Sequence, residues 1–411
     1  MHLLYVSHGY KPAYRFGGPI MSVSAMAEGM VERGHRVTVF TTNSNLDEQL
    51  NVPVNCPVEV DGVTVWYFRQ VDLQAKYFWW SRYLSQSMGY LYTPALKRVM
   101  REMLPSIDIV HTQMPFIYPS MAAGRLAAAE GKPFFYNQRG VFHPQRLRYR
   151  SLKKKLYIDL IEKPLMRRAT GLIALTPEEI ETYHQMGIQT PSHLVPNGID
   201  VRRFRREARP NALTSLGIAD VTKVVLFLGR LHPQKGVDVL LDAFATLARA
   251  VPEAVLVLAG PDEHNLSVQL LAQAESKGLG GRIVFPGMVV GEEKLELLAR
   301  ADVFVLPSTG EGFSMAILEA LASGTPVVIS PECNFPKVAD VGAGKVVDRD
   351  PTKLSDAIRS YLVDRELARA AGQAAYEFAR DELGWSSIVA RLEQVYLAAL
   401  GKRPARPAPP R

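Results

Sequence analysis

The stretch "KVVLFLGRLHPQKGVDVLLDAFATLARA", residues 223–250, decides the fold. Residues 223–228 are an apolar run without polar alternation, too short for a helix; they read as a strand covered on both faces. Gly229 lets the chain turn at the strand's end. After a polar loop, Val237, Leu240, Leu241, Phe244 and Leu247 recur at helical spacing across 237–250. A doubly covered strand feeding an amphipathic helix is half of a parallel α/β unit.

The same alternation continues in both directions. Toward the C-terminus, strands are expected at 254–259, 282–285, 302–306 and 326–330, with helices at 266–277, 292–300 and 314–323. Toward the N-terminus, residues 2–7 read as a strand and 19–33 as a helix. That helix has Pro19 at a favourable first position and Ile20, Val23, Ala27, Met30 and Val31 on one face. Gly34 ends it, and 36–41 is the next strand. Further strands are expected at 63–68, 107–111, 133–137, 171–175 and 193–195. Residues 43–61, polar and Pro-containing, read as loop; residues 197–220, rich in Arg, Asn and Pro, read as a linker. Residues 351–400 read as helical, with Trp385, Ile388, Leu392, Val395 and Tyr396 in register. The basic, Pro-rich tail 401–411 is expected to be disordered. The fold class is therefore α/β: two Rossmann-like doubly wound domains, residues 1–200 and 201–382, expected to face each other across a cleft. Each would bind ligand at the carboxyl ends of its strands.

Composition narrows the function. The 411 residues are 47% hydrophobic and 22% charged, which excludes bulk disorder. Two cysteines, Cys56 and Cys333, cannot build a disulfide framework or a four-thiolate zinc site. No apolar run reaches the ~18 residues of a membrane span. The opening "MHLLYVSHGY" reads as a strand rather than a signal peptide, so a cytoplasmic location is expected. A net charge of +7 and a pI near 9.2 favour anionic partners, or simply a soluble basic protein.

Three motifs carry chemistry. In residues 229–236, "GRLHPQKG", Arg230 and Lys235 stand past a strand end and before a helix, where a guanidinium and an ammonium would hold a diphosphate without a metal. The bland alternative is a pair of surface cations. In "STGEGFSMAILEALASGTPVV", residues 308–328, Glu311 precedes a helix and Glu319 lies within it. Gly312 permits close backbone approach, and N–H groups near Phe313 and Ser314 would face an anion. The two carboxylates would hold hydroxyls at two points of a nucleotide-sugar. Alternatively Glu319 is an ordinary helix residue, though its apolar neighbours call for a partner. In "RFGGPIMS", residues 15–22, Gly17 and Gly18 precede a helix whose dipole favours a negative ligand.

With these residues the chain resembles the family 4 glycosyltransferases, the retaining "glycosyl transferase group 1" class of the GT-B fold. The resemblance is strongest from "VPNGID" at 195–200 to 348. It implies that Glu311 contacts a donor sugar and Glu319 the ribose hydroxyls. It implies that Arg230 and Lys235, with Gly229 at the turn, neutralise a departing diphosphate, and that Gly17–Gly18 close over it. It also implies that the last helix crosses back to the first domain. Many members carry a His before Gly after the strand at 133–137; here the pair is Arg139–Gly140. Arg139 is then expected to hold a phosphate or a hydroxyl, since it cannot act as a base. His111 is the alternative general base, or else a strand-end His held for structure.

The expectation is a sugar-nucleotide-dependent hexosyltransferase acting on a glycan or lipid-linked acceptor, as in bacterial cell-surface polysaccharide assembly. Front-face attack assisted by the departing phosphate would give retention. Asp348 and Asp350 form a DxD, read here as a solvated turn and helix cap; no metal and no cofactor are expected. Residues 76–92, "KYFWWSRYLSQSMGYLY", hold seven aromatics. With Arg146, Arg148, Arg150, Lys153, Lys154 and Lys155 they suggest either an anionic membrane surface on the inner face of the cell membrane, or a core helix plus a solvated face. A sugar-nucleotide epimerase or hydrolase, a non-catalytic nucleotide-sugar binder and a nucleic-acid binder are the rivals. The last has no recognition-helix or zinc-finger motif behind it, so no nucleic acid is expected.

Overall fold

A computed structural model describes residues 1–46, 48–71, 91–142, 151–205, 208–262 and 265–401. The aromatic stretch to residue 90, the arginines 146, 148 and 150 and the tail from 402 lie outside these residues, as do the side chains of Lys153 and Lys154. The chain divides after Asn197 and after Gly384 into two units, the first comprising Met1–Asn197 and the segment from Trp385, the second Gly198–Gly384.

The first unit is built on one eight-stranded sheet. Its strands are β1 (His2–Val6), β2 (Arg36–Thr42), β5 (Pro57–Val60), β6 (Val63–Phe68), β7 (Ile109–Gln113), β8 (Phe134–Asn137), β9 (Gly171–Ala174) and β10 (Ser192–Leu194); a separate ribbon holds β3 (Ser44–Asn45) and β4 (Glu48–Gln49). The order is β10-β9-β8-β7-β1-β2-β6-β5, parallel except for β5. Strand order therefore reverses between β1 and β7. Residues 43–61 are not plain loop. Val58 and Val60 alternate with Glu59 on an edge strand, and Asp61 and Gly62, at φ 50° and 78°, close a two-residue hairpin onto β6. Helix Gly18–Glu32 buries Ile20, Val23, Ala27 and Met30. Helix Trp385–Ala399 returns to pack against it: Val389 lies so close that a Cβ on Gly29 would meet it at 2.7 Å. Glu393 fixes this packing through Arg33 and through His35 at 2.6 Å.

The second unit is a six-stranded parallel sheet: β11 (Lys223–Leu228), β12 (Ala254–Ala259), β13 (Ile283–Gly287), β14 (Val303–Leu306), β15 (Val327–Ile329) and β16 (Gly344–Val346). The order β13-β12-β11-β14-β15-β16 reverses between β11 and β14. Val237, Leu240, Leu241, Phe244 and Leu247 are fully buried beneath helix Val237–Ala250, as their spacing predicts. Residues 197–220 are more than a linker. Val201 and Phe204, on a short helix, and Leu213 and Ile218 are buried in this unit's core. Apolar residues scattered among arginines carry no periodicity, but each fills the core. Strand β16 also went unread; only three residues long, it sits where a Cβ on Gly344 would meet Val327 O at 2.1 Å. No helix among the described residues is long and apolar enough to cross a membrane.

Candidate active site

In a doubly wound sheet, ligand binds at the carboxyl ends of the strands where their order reverses. In the second unit that point lies between β11 and β14, and the two loops leaving these strands are stitched together there. Gln234 Nε2 donates to Gly310 O at 2.8 Å, while Thr309 N and Ser308 Oγ donate to Gln234 O at 2.7 and 3.0 Å. His232 caps the single turn Pro233–Lys235, accepting from Gln234 N. Gly236 follows at φ 69°, with its Cα hydrogens against Pro307: a Cβ there would stand 2.0 Å from Pro307 O. Gly260, past β12, is confined in the same way: a Cβ there would stand 1.9 Å from Gly229 O. These contacts hold the backbone to one conformation and leave side chains at the edge.

The side chains so presented are those named by the sequence. Lys235 Nζ lies 2.6 Å from Glu311 Oε1, with both side chains largely buried. Glu311 is braced from behind, its N donating to Glu332 O and its carbonyl accepting from Asn334 Nδ2 at 3.0 Å. Arg230 is exposed at the end of β11. Helix Met315–Ser323 starts after Gly312, Phe313 and Ser314, all half-buried, and Ser314 makes no side-chain cap. Its first-turn N–H groups therefore offer partial positive charge to an anion. Glu319, eight residues on, has the partner its apolar surroundings demanded: Lys294 Nζ at 2.7 Å, from helix Gly291–Arg300. Sequence reading found both carboxylates and the lysine of the loop. It missed Lys294, His232 and Gln234, whose roles depend on contacts between elements distant in the chain.

The first unit carries its own polar cluster at the β1–β7 reversal. Gly17, at φ 77°, and Gly18 are exposed at the uncapped start of helix Gly18–Glu32. His111, on β7, is enclosed. Its Nδ1 is hydrogen-bonded to the Tyr396 hydroxyl at 2.5 Å and its Nε2 lies 3.3 Å from Gln113 Nε2. Burial, and then the Arg139 charge, push its pKa down to about 3. This geometry fits the strand-end histidine held for structure; it presents no ring nitrogen to an acceptor. Arg139 follows β8 in the left-handed region, φ 51°, its N donating to Asn137 Oδ1 at 3.0 Å. Its Nε donates to Gln113 Oε1 at 2.6 Å and its Nη1 to Asn197 Oδ1 at 3.1 Å. The DxD behaves as a turn: Asp350 caps helix Pro351–Val363 through Lys353 N, and Asp348 pairs with Lys353.

Two Rossmann-like units with charged loops at their sheet reversals define a GT-B architecture, and comparison with known proteins agrees. The model of the glycosyl transferases group 1 family matches residues 209–378, and that of the glycosyl transferase 4-like domain matches residues 17–198. The phosphatidyl-myo-inositol mannosyltransferase of Mycobacterium tuberculosis is 30% identical over 321 residues, covering 75% of this chain and 79% of that protein. The D-inositol 3-phosphate glycosyltransferase of Corynebacterium diphtheriae is 32% identical over 248 residues, 58% of each chain. Among solved structures, Anabaena HepE in complex with UDP superposes with a TM-score of 0.73 at 19% identity, covering 97% of this chain and 100% of that one. The chain belongs to the group 1, family 4 glycosyltransferases.

Proposed function

We propose that the protein is a retaining transferase that moves a hexose from a nucleoside-diphosphate sugar to a glycan or lipid-linked acceptor, in the assembly of bacterial cell-surface polysaccharide. The observation that carries the donor half is the Lys235–Glu311 pair beside the uncapped helix Met315–Ser323. An arriving diphosphate competes with Glu311 for Lys235, and Arg230 closes on its other oxygens. As the anomeric C–O bond breaks, negative charge grows on the leaving phosphate, and these groups stabilise it. Freed from Lys235, Glu311 reaches the sugar, while Glu319 takes the ribose hydroxyls. The acceptor oxygen attacks from the same face and its proton passes to the departing phosphate; an inverted product would exclude this course. No metal takes part in the proposal. Family-level analogy supports the polysaccharide setting. The test is a thermal-shift panel of UDP-, GDP-, ADP- and dTDP-sugars, with and without EDTA. At 100 times its Kd, one nucleotide class adds ~2.7 kcal/mol of apparent stability. EDTA leaves the shift intact and Glu319→Ala removes it. Silence across the panel overturns the donor assignment, and loss of the shift in EDTA overturns metal independence.

The acceptor half extends to a membrane. Leu152, Leu156 and Leu160 recur every fourth residue along the helical stretch from Ser151 and are 79%, 59% and 62% exposed. Lys155, Arg167 and Arg168 are exposed on the same stretch. Leucines flanked by cations suit an anionic lipid surface. Vesicles rich in phosphatidylglycerol are expected to co-sediment the protein, and the triple Leu→Gln variant to bind roughly ten-fold more weakly. Equal sedimentation of the two would place the acceptor elsewhere.

A further inference from the structure

Arg139 is a buried cation whose guanidinium is only partly satisfied among the described residues. It keeps only 8% of its surface exposed, and among the described residues it forms no ion pair. Two amide side chains, Gln113 and Asn197, take its Nε and Nη1, but Nη2 is fully buried with no hydrogen-bond partner. A protein that needed Arg139 only for packing would give that fork a carboxylate, because an uncompensated buried charge costs several kcal/mol. The carboxylate whose charge is felt by Arg139, Glu179, forms no ion pair with it. It spends one oxygen on Leu175 N at 2.8 Å, and its other, Oε1, is also unpartnered. Burial, opposed by its backbone bonds and by Arg139, pushes its pKa up to about 7. The two imidazoles that feel the Arg139 charge, His8 and His111, are held neutral by burial.

The arginine is also held where a ligand would arrive. Asn137 grips its backbone in the left-handed region, and Gln113 and Asn137 are paired residues at the carboxyl ends of β7 and β8. Doubly wound sheets take ligands along that edge. We propose that the Arg139 guanidinium is an anion seat at the carboxyl edge of the first unit's sheet, taking a phosphate or carboxylate oxygen of a substrate. The proposal rests on the transfer reaction above for the substrate's identity, not for the seat itself. Two sources share this chemistry: an anionic group on the acceptor, and the diphosphate of the donor.

Inorganic phosphate, with chloride at matched ionic strength as the control, is the probe, and the melting temperature of the full chain is the readout. Phosphate is expected to stabilise the wild type and also Lys235→Ala, in which the second unit's cation site is disabled. Arg139→Gln should bind phosphate about ten-fold more weakly or worse, the weight of a lost charge-assisted bidentate contact. Without phosphate it should melt no lower than the wild type, because a buried charge is gone. Gln113→Glu keeps the arginine and places an internal carboxylate on it; it should raise the melting temperature and abolish the phosphate increment. Retention of the increment in both variants overturns the proposal. So does a fall in ligand-free melting temperature of Arg139→Gln with the increment intact in Gln113→Glu. Nucleoside diphosphate affinity separates the sources: unchanged in Arg139→Gln, it assigns the anion to the acceptor; weakened about ten-fold, to the donor. An Arg139-dependent phosphate response with no nucleotide binding in any variant would overturn the transferase reading and leave the seat standing.

Discussion

Replacing Lys235 by alanine is expected to lower kcat/KM for sugar transfer about a thousand-fold, at the upper end of what loss of one preorganised charge costs an enzyme. The ammonium is largely buried and already aimed by the Pro233–Lys235 turn, so it pays no reorganisation as charge develops on the leaving group. Most of the loss should fall on kcat, since the full leaving-group charge exists only in the transition state. The substitution also strands Glu311, a buried carboxylate whose only ion-pair partner among the described residues is Lys235. The double variant Lys235→Ala with Glu311→Gln separates the two effects. It should regain the melting temperature lost in the single variant and recover none of the activity. A decrease below ten-fold in the single variant, measured with the donor found in the nucleotide panel, would remove Lys235 from the leaving-group site.

Gly236→Ala is expected to destabilise the second unit by about 2–4 kcal/mol, combining the left-handed penalty with overpacking. At φ 69° the new methyl carbon would stand 2.0 Å from Pro307 O and 2.9 Å from Pro307 C, and both are backbone atoms that cannot rotate away. The loops must separate by more than an ångström, which pulls Gln234 from Gly310 and Lys235 from Glu311. Gly217→Ala is the matched control, with φ 72° and nothing within 4 Å; it should cost only about 1 kcal/mol. Denaturant midpoints for the two variants decide the matter. If Gly236→Ala unfolds no earlier than Gly217→Ala, the loops are not held by that contact.

Much of this molecule is legible in its residues because parallel sheets covered on both faces announce themselves. Strand 223–228 and helix 237–250 are covered on the sides their patterns indicate. The loops of the candidate site were legible for a related reason: Gly229–Gly236 and Gly310–Ser314 are polar, glycine-bearing breaks in apolar alternation. What escaped has physical causes. Asp61–Gly62 is a strong hairpin signal, but the short strand before it begins with a proline in a polar stretch. The stretch after Asn197 hides Val201, Phe204, Leu213 and Ile218 among arginines, and burial of such isolated residues is decided by the surface they meet. Lys294 joins Glu319 across 25 positions and Tyr396 joins His111 across 285, so no local pattern predicts either. Arg139 was named from its motif, yet that its Nη2 finds no partner among the described residues is visible only in three dimensions.

The helix Trp385–Ala399 belongs to the first unit although the whole second unit precedes it in the chain. This arrangement sets an order of events during synthesis. When the ribosome has delivered residue 197, the sheet from β1 to β10 is complete, but helix Gly18–Glu32 still lacks the cover of Ile388, Val389 and Leu392, and His111 lacks the Tyr396 hydroxyl. Both wait until the second unit has been made. The N-terminal portion thus emerges first and matures last, carrying an uncovered apolar face for the whole of the interval. A nascent chain stalled beyond residue 384 would hold a complete second unit tethered to an unfinished first one.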